Sequence, residues 1–401
     1  MNATISPPAR PWRFALFDYG FRPFFLLGGL YALAIVPLWL YRFAHASVAF
    51  GALPGVYWHA HEMLYGFVFA AVAGFLLTAA PSWTGTRAYA GWPLAIVVAL
   101  WIAGRVVMGY VGAVPFWLTA FAELALVPAL LLLLAPPIIR SARRNVPLLG
   151  VLVVLWLIDG VFLAALARGD APLASGAMRL AIDFVLVLVT VIGGRIVPAF
   201  TANALRRRGE TVTVVTRMPL EIATIAAMVA IAIGDVFAPE TKLAGALAAL
   251  AAVLHGIRLA GWRSLRTRSE SILWVMHVAY AWLPIGLALK AAWLLGAAGW
   301  AMKWQHALTM GLFGTMILAV MTRVALGHTG RPLVVSRAIT AAYLLLTAGA
   351  LVRVFGAALF PQHYLLTLSF SGLAWVSCFL LFLIVYAPIL LGPRADGQPL
   401  T

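Results

Sequence analysis

The sequence predicts an all-α fold, a polytopic transmembrane helical bundle of about 12 helices, and three observations carry that prediction. Of the 401 residues, 64% are hydrophobic and only 10% charged, against roughly 45–50% and about 25% in a soluble domain. The mean hydropathy of +1.00 is more apolar surface than a 43.0 kDa globule can hide, because its own shell must face water. The apolar residues also fall in runs of about 20, each one bilayer span long, rather than in the period-two alternation of a β-barrel. These features exclude a soluble enzyme, a disordered chain and a nucleic-acid-binding domain.

The runs are 23–42, 57–80, 91–110, 114–135, 147–167, 177–199, 219–238, 241–260, 271–296, 303–326, 334–356 and 364–391. Two pairs, 91–110 with 114–135 and 219–238 with 241–260, are so closely spaced that they read as tight helical hairpins. No polar segment is long enough for a separate soluble domain, so residues 1–401 read as one integral membrane domain. The segment Met1–Arg22 is polar and Pro-rich, with Arg10, Arg13 and Arg22. The run after it is as long as a full span, and no convincing small-x-small cleavage site follows. It reads as a retained first helix.

The net charge is +16. The Arg residues sit in short gaps between apolar runs, where they act as topology signals and meet anionic lipid headgroups, not nucleic acid. An even number of spans puts both termini on one side. Of the 28 Lys and Arg, the opposite side holds only Arg42, Arg168, Arg179, Lys242, Lys303 and Arg353. That bias predicts both termini in the cytoplasm.

Cys378 is the single cysteine. It excludes an intramolecular disulfide, four-Cys zinc and iron–sulfur sites, and haem attachment through Cys-x-x-Cys-His. Any metal is then held by His, Met or carboxylate. The spans place His59, His61 and His306 near the outer surface, and His255, His277 and His328 near the inner one. His306 and His328 stand at opposite ends of one helix, about 33 Å apart at 1.5 Å per residue. They cannot share a metal, so two sites are expected.

The outer set is the richer one. Trp58-His59-Ala60-His61-Glu62-Met63 puts two imidazoles, a carboxylate and a thioether at one helix entrance. His59 and His61 point to different faces, while His59, Glu62 and Met63 are expected on one face, as are His306 and Met310. Imidazole with thioether suits copper or haem iron, and a carboxylate suits orienting a ligand. The plainer reading is interfacial histidines in water, with Trp58 and Trp304 as belt residues. In the inner set, Arg323 and Arg331 flank His328 and suit an anionic group, although a positive-inside loop explains them equally. Arg105, Glu123, Asp159, Asp183, Arg195, Glu221 and Lys290 are the other intramembrane charges. They read either as a proton path or propionate anchors, or as ion pairs that fix helix rotation. Two short internal matches stand out: Trp58-His59-Ala60 with Met63 against Trp304-Gln305-His306-Ala307 with Met310, and Trp101–Arg105 against Val191–Arg195.

Several of these segments resemble, in order, the NnrS family. They are Phe21-Arg22-Pro23-Phe24-Phe25, Trp58–Phe67, Gly74–Ala79, Gly194–Asn203, His277–Leu283, His306–Gly311 and Met321–Pro332. The most specific are His-Ala-His-Glu-Met and Gly-His-Thr-Gly-Arg-Pro. The resemblance implies a multi-pass protein of the bacterial inner membrane that carries haem, of b type, and copper, and serves the response to nitric oxide and nitrosative stress, often beside denitrification. It implies His59, His61, His277, His306 and His328 as metal ligands, with Arg195, Arg323 and Arg331 around the cofactor.

The leading expectation is therefore a protein that binds nitric oxide, and reduces it if an unknown electron donor is present. Glu62 is the candidate catalytic acid, with Glu123 and Asp183 as further acids by position. The lipid bilayer and nitric oxide are the expected partners. A transporter or metal-handling protein without redox chemistry is the alternative from a different class, and a cofactor-free structural or sensor subunit is a third.

Overall fold

The computed structural model describes residues 14–45, 49–50 and 53–397; Arg10 and Arg13 lie outside the described residues. Twelve helices long and apolar enough to cross a membrane occur among them. They are α1 (Phe21–Ala44), α2 (Gly55–Thr84), α3 (Trp92–Gly109), α4 (Phe116–Ser141), α5 (Arg143–Arg168) and α6 (Ala171–Arg207). The second half comprises α7 (Met218–Phe237), α8 (Lys242–Gly261), α9 (Ser271–Gly296), α10 (Gly299–His328), α11 (Arg337–Leu359) and α12 (Pro361–Leu391). A two-residue antiparallel ladder, Ala49–Phe50 with Leu53–Pro54, precedes α2.

Burial ranks the helices. Of the apolar 18-residue stretch in each helix, 78% is buried in α2 and 67% in α9 and α10, against 33% in α7 and α8. Three helices thus form the centre, and the outer ones turn Leu, Ile, Val and Phe outward, as a lipid-facing surface requires. The two expected hairpins are present. In the second, Ala238–Thr241 joins α7 to α8, and Thr241 caps α8 by accepting from the Ala244 amide at 3.3 Å.

α6 departs from its expected length. The apolar run covers 177–199, yet the helix has 37 residues, about 55 Å at 1.5 Å per residue, so it projects past the hydrocarbon layer. Its start is fixed by Gly169 at φ +66°, a left-handed position that glycine takes without a Cβ penalty. Asp170 then accepts from the Leu173 amide at 3.0 Å. Polar residues at both ends hide this extension from hydropathy.

The two ends of the bundle meet. The Ala15 amide donates to the Leu391 carbonyl at 2.8 Å. Arg22 donates to the carbonyls of Leu390 and Gly392 at 2.8 and 2.6 Å, and α1 packs along α12. Both ends of the described chain therefore lie on one side, as an even number of spans demands. Reporter fusions after Pro54 and after Arg207 are expected to read outside and inside respectively; the reverse pattern contradicts the charge-based orientation.

Gly193 and Gly194 of α6 let side chains from neighbouring helices approach closely. Arg258 of α8 runs across Gly194, so any Cβ there would collide with its guanidinium. Arg258 is held by Glu221, by the Thr190 carbonyl at 2.9 Å and by the Tyr280 hydroxyl at 2.8 Å. Gly194→Ala is expected to destabilise the protein by about 1–3 kcal/mol through overpacking, read as a lower melting temperature in detergent.

Candidate functional site

α2 and α10 share an unusual construction. Each opens with a short α-helical segment ending in histidine, then widens into a π-helix, Glu62–Val68 in α2 and Ala307–Gly314 in α10. Each then resumes as an α-helix. π-Helical segments are rare and concentrate at functional sites. Both of the similar Trp-His-Ala and Trp-Gln-His-Ala segments thus run into a π-helix, which begins three residues after His59 and one after His306. In the other internal match, Arg105 is buried in ion pairs, whereas Arg195 is exposed beside Asn145.

The two π-bearing helices face each other across a cavity of about 240 Å³. His59 and Met63 line it from α2, and His306 and Met310 from α10. Trp39 of α1, Arg353 of α11 and Trp375 of α12 also line it. The His59 ring stacks on Trp39, with centroids 4.8 Å apart and planes 12° apart. His59 Nδ1 is buried and has no hydrogen-bond partner among the described residues. The Met310 sulfur accepts from the Ser371 hydroxyl at 3.6 Å. His59 and His306, remote in sequence, thus reach one space, each with a thioether four residues on.

Three expectations for the outer set change. His61 does not join His59 and His306; it is fully buried on the opposite side of α2, against Glu62, Glu123 of α4 and Asp159 of α5. Glu62 does not share the His59 face. It accepts from Tyr31, from Arg105 Nη1 at 2.7 Å and from His61 Nδ1 at 2.8 Å. The boundary between cavity and charged cluster falls between Glu62 and Met63, at the start of the π-helix. With its oxygens already bonded outside the cavity, Glu62 is placed to hold its neighbours rather than to meet a ligand there. Trp58 is not a water-facing belt residue: it is 2% exposed and donates from Nε1 to the Met108 carbonyl at 3.1 Å.

The inner set does not assemble. Both ring nitrogens of His277 are engaged, Nε2 with the Thr201 hydroxyl at 2.8 Å and Nδ1 with the Ser264 hydroxyl at 2.9 Å. His255 Nδ1 pairs with the Tyr280 hydroxyl at 2.7 Å. His328 packs elsewhere, against Tyr19 and Phe21 with ring centroids 5.3 and 5.8 Å away. Its carbonyl accepts from Arg394 at 3.2 Å. Arg323 lies over the Phe200 ring at 3.8 Å. Arg331, outside the spans, is half-buried, and burial lowers its pKa. Its Nη1 contacts the Thr329 carbonyl at 3.4 Å. Arg195 is exposed, with Nη1 3.4 Å from Asn145 Oδ1 in the first turn of α5.

Sequence reasoning missed Arg353, which it placed among outer-side charges and which the structure turns into the cavity. It also missed Asp235, the ion-pair partner of Lys290. Lys290 in turn sits 4.9 Å from the Trp304 ring centroid, two residues before His306. Only the placement of a cation within an apolar span hints at such a partner.

A family model described as NnrS protein matches residues 15–394, nearly the whole chain. No curated protein matches it significantly.

Proposed function

The chain belongs to the NnrS family, a multi-pass membrane protein of the nitric oxide response, and from that premise we propose that the cavity between α2 and α10 holds the metal-bearing group, haem or copper, at which nitric oxide binds. The observation that carries this reading is the convergence of His59, Met63, His306 and Met310 on one cavity.

The donor set fits such a group. Imidazole nitrogen and thioether sulfur are ligands for copper and for haem iron alike, and His59 Nδ1 is a buried nitrogen with no partner among the described residues. Arg353 supplies a cation for an acidic substituent such as a propionate. His277 fits less well, because hydroxyls already engage both of its nitrogens.

The remaining roles belong to the chain. Stacking on Trp39 fixes the plane of the His59 imidazole. The Ser371 hydroxyl occupies one lone pair of the Met310 sulfur and so fixes the direction of the other. Phe67, Phe313 and Trp375 make the walls apolar, which excludes water and keeps the local dielectric low. When bound, the metal supplies a coordination position for nitric oxide. Nitric oxide is small and uncharged, dissolves in lipid, and reaches such a cavity without a polar channel. Reduction of two nitric oxide molecules to nitrous oxide and water takes two electrons and two protons, so turnover adds an electron-donor partner to the proposal.

The test is the visible absorption spectrum and metal content of the purified, reduced protein before and after nitric oxide. A metal-dependent band that shifts on addition is the expected result. A colourless protein without iron or copper contradicts the reading and returns the transporter alternative.

A further inference from the structure

The charged cluster beside the cavity has the composition of a second metal site. His61 contributes Nε2, which lies 3.0 Å from Asp159 Oδ1 and 3.7 Å from Glu123 Oε1. One ligand atom from each of the three residues lies within 4.8 Å of the others, and all three residues are buried. Two ligands each about 2.1 Å from a tetrahedral metal stand about 3.4 Å apart, a spacing that the 3.0 and 3.7 Å separations bracket.

Two further observations point the same way. Nδ1 of His61 is 2.8 Å from Glu62 Oε1, and Glu62 is fixed by Tyr31 and Arg105. A carboxylate on one imidazole nitrogen recurs behind metal-bound histidines; Nε2 is engaged with Asp159 Oδ1 at 3.0 Å, itself a proposed ligand, so a metal ion would take the place of the proton between them. The second observation is charge. Glu62, Glu123 and Asp159 face one guanidinium, that of Arg105. With His61 neutral the cluster carries two excess negative charges, and with its imidazole protonated still one, at bilayer depth, where net charge is costly. Glu123 Oε2 is in addition buried with no hydrogen-bond partner among the described residues.

We propose that His61, Glu123 and Asp159 bind a divalent transition-metal ion, distinct from the group in the cavity. Its two positive charges cancel the excess. One imidazole and two carboxylates form a harder donor set than the imidazole–thioether set of the cavity, and suit zinc, iron(II) or manganese(II). Glu62 is then a positioning residue for His61.

The experiment is elemental analysis of the purified full-length protein and of Asp159→Asn and His306→Ala. About one equivalent of a divalent metal is expected to be lost in Asp159→Asn and kept in His306→Ala, the opposite of the cavity group, so the two sites fail separately. Copper that follows this pattern supports the site and moves copper out of the cavity. Should Asp159→Asn fail to fold, the wild type decides: chelator treatment lowers its melting temperature by several degrees and added Zn²⁺ restores it. Full metal content in Asp159→Asn, or a wild type with no metal beyond that lost in His306→Ala and no response to chelator and Zn²⁺, overturns the proposal.

Discussion

His306→Ala is expected to empty the cavity of its metal-bearing group while His328→Ala leaves it filled. Both residues belong to α10, so the comparison holds the helix constant and changes only depth. His306 lines the cavity; His328 stands at the other end of the helix, packed on Tyr19 and Phe21. Losing even a residue that supports a ligand costs roughly 10–100-fold in metal affinity, so losing the ligand itself should lower the affinity at least tenfold. Visible absorption and metal content of the two variants measure this. Loss in both variants with the fold intact would mean that one site spans the helix, against the geometry of a continuous α10.

The second large effect is on stability. Arg105→Leu should destabilise the protein by about 3–5 kcal/mol, because breaking a buried ion pair strands its partners without compensation. Arg105 joins Glu62 and Glu123, and each of the three side chains is less than a tenth exposed. Arg179 makes the useful contrast. Its pair with Glu240 spans 3.5 Å, and Glu240 is 74% exposed; Arg179→Ala should cost no more than about 1 kcal/mol. Denaturation of both variants in the same detergent gives the comparison. Equal small losses would mean that the cluster does not depend on its guanidinium.

The spans were legible in the sequence because a bilayer imposes a one-dimensional rule, about 20 apolar residues per crossing. Tight links such as Ala238–Thr241 and the placement of both chain ends on one side followed from the same count; the contact between those ends did not. The extent of α6 was not legible, since its ends are helical but polar. The convergence of His59 and His306 was legible as two similar motifs, yet no spacing rule brings helices 2 and 10 of a chain together. The direction of Glu62 was misread because a face was drawn from helix angles alone. Three donors, on Tyr31, His61 and Arg105, draw its carboxylate away from the cavity. The pairing of Arg105 with Glu123 and of Lys290 with Asp235 is tertiary; charge at membrane depth announces that a partner exists and does not name it. The inner histidines failed to assemble for a related reason. Thr201, Ser264 and Tyr280 already serve His277 and His255, and hydroxyl residues give no such warning in a sequence.

The most direct test of the central claim, that imidazoles from α2 and α10 hold one group in one cavity, is X-ray absorption at the copper and iron edges. The account predicts imidazole scattering in the wild-type protein at one of these edges, and loss of that scattering or of the metal itself in His59→Ala and in His306→Ala alike. A spectrum unchanged by either substitution, or altered only by His277→Ala or His328→Ala, would contradict it.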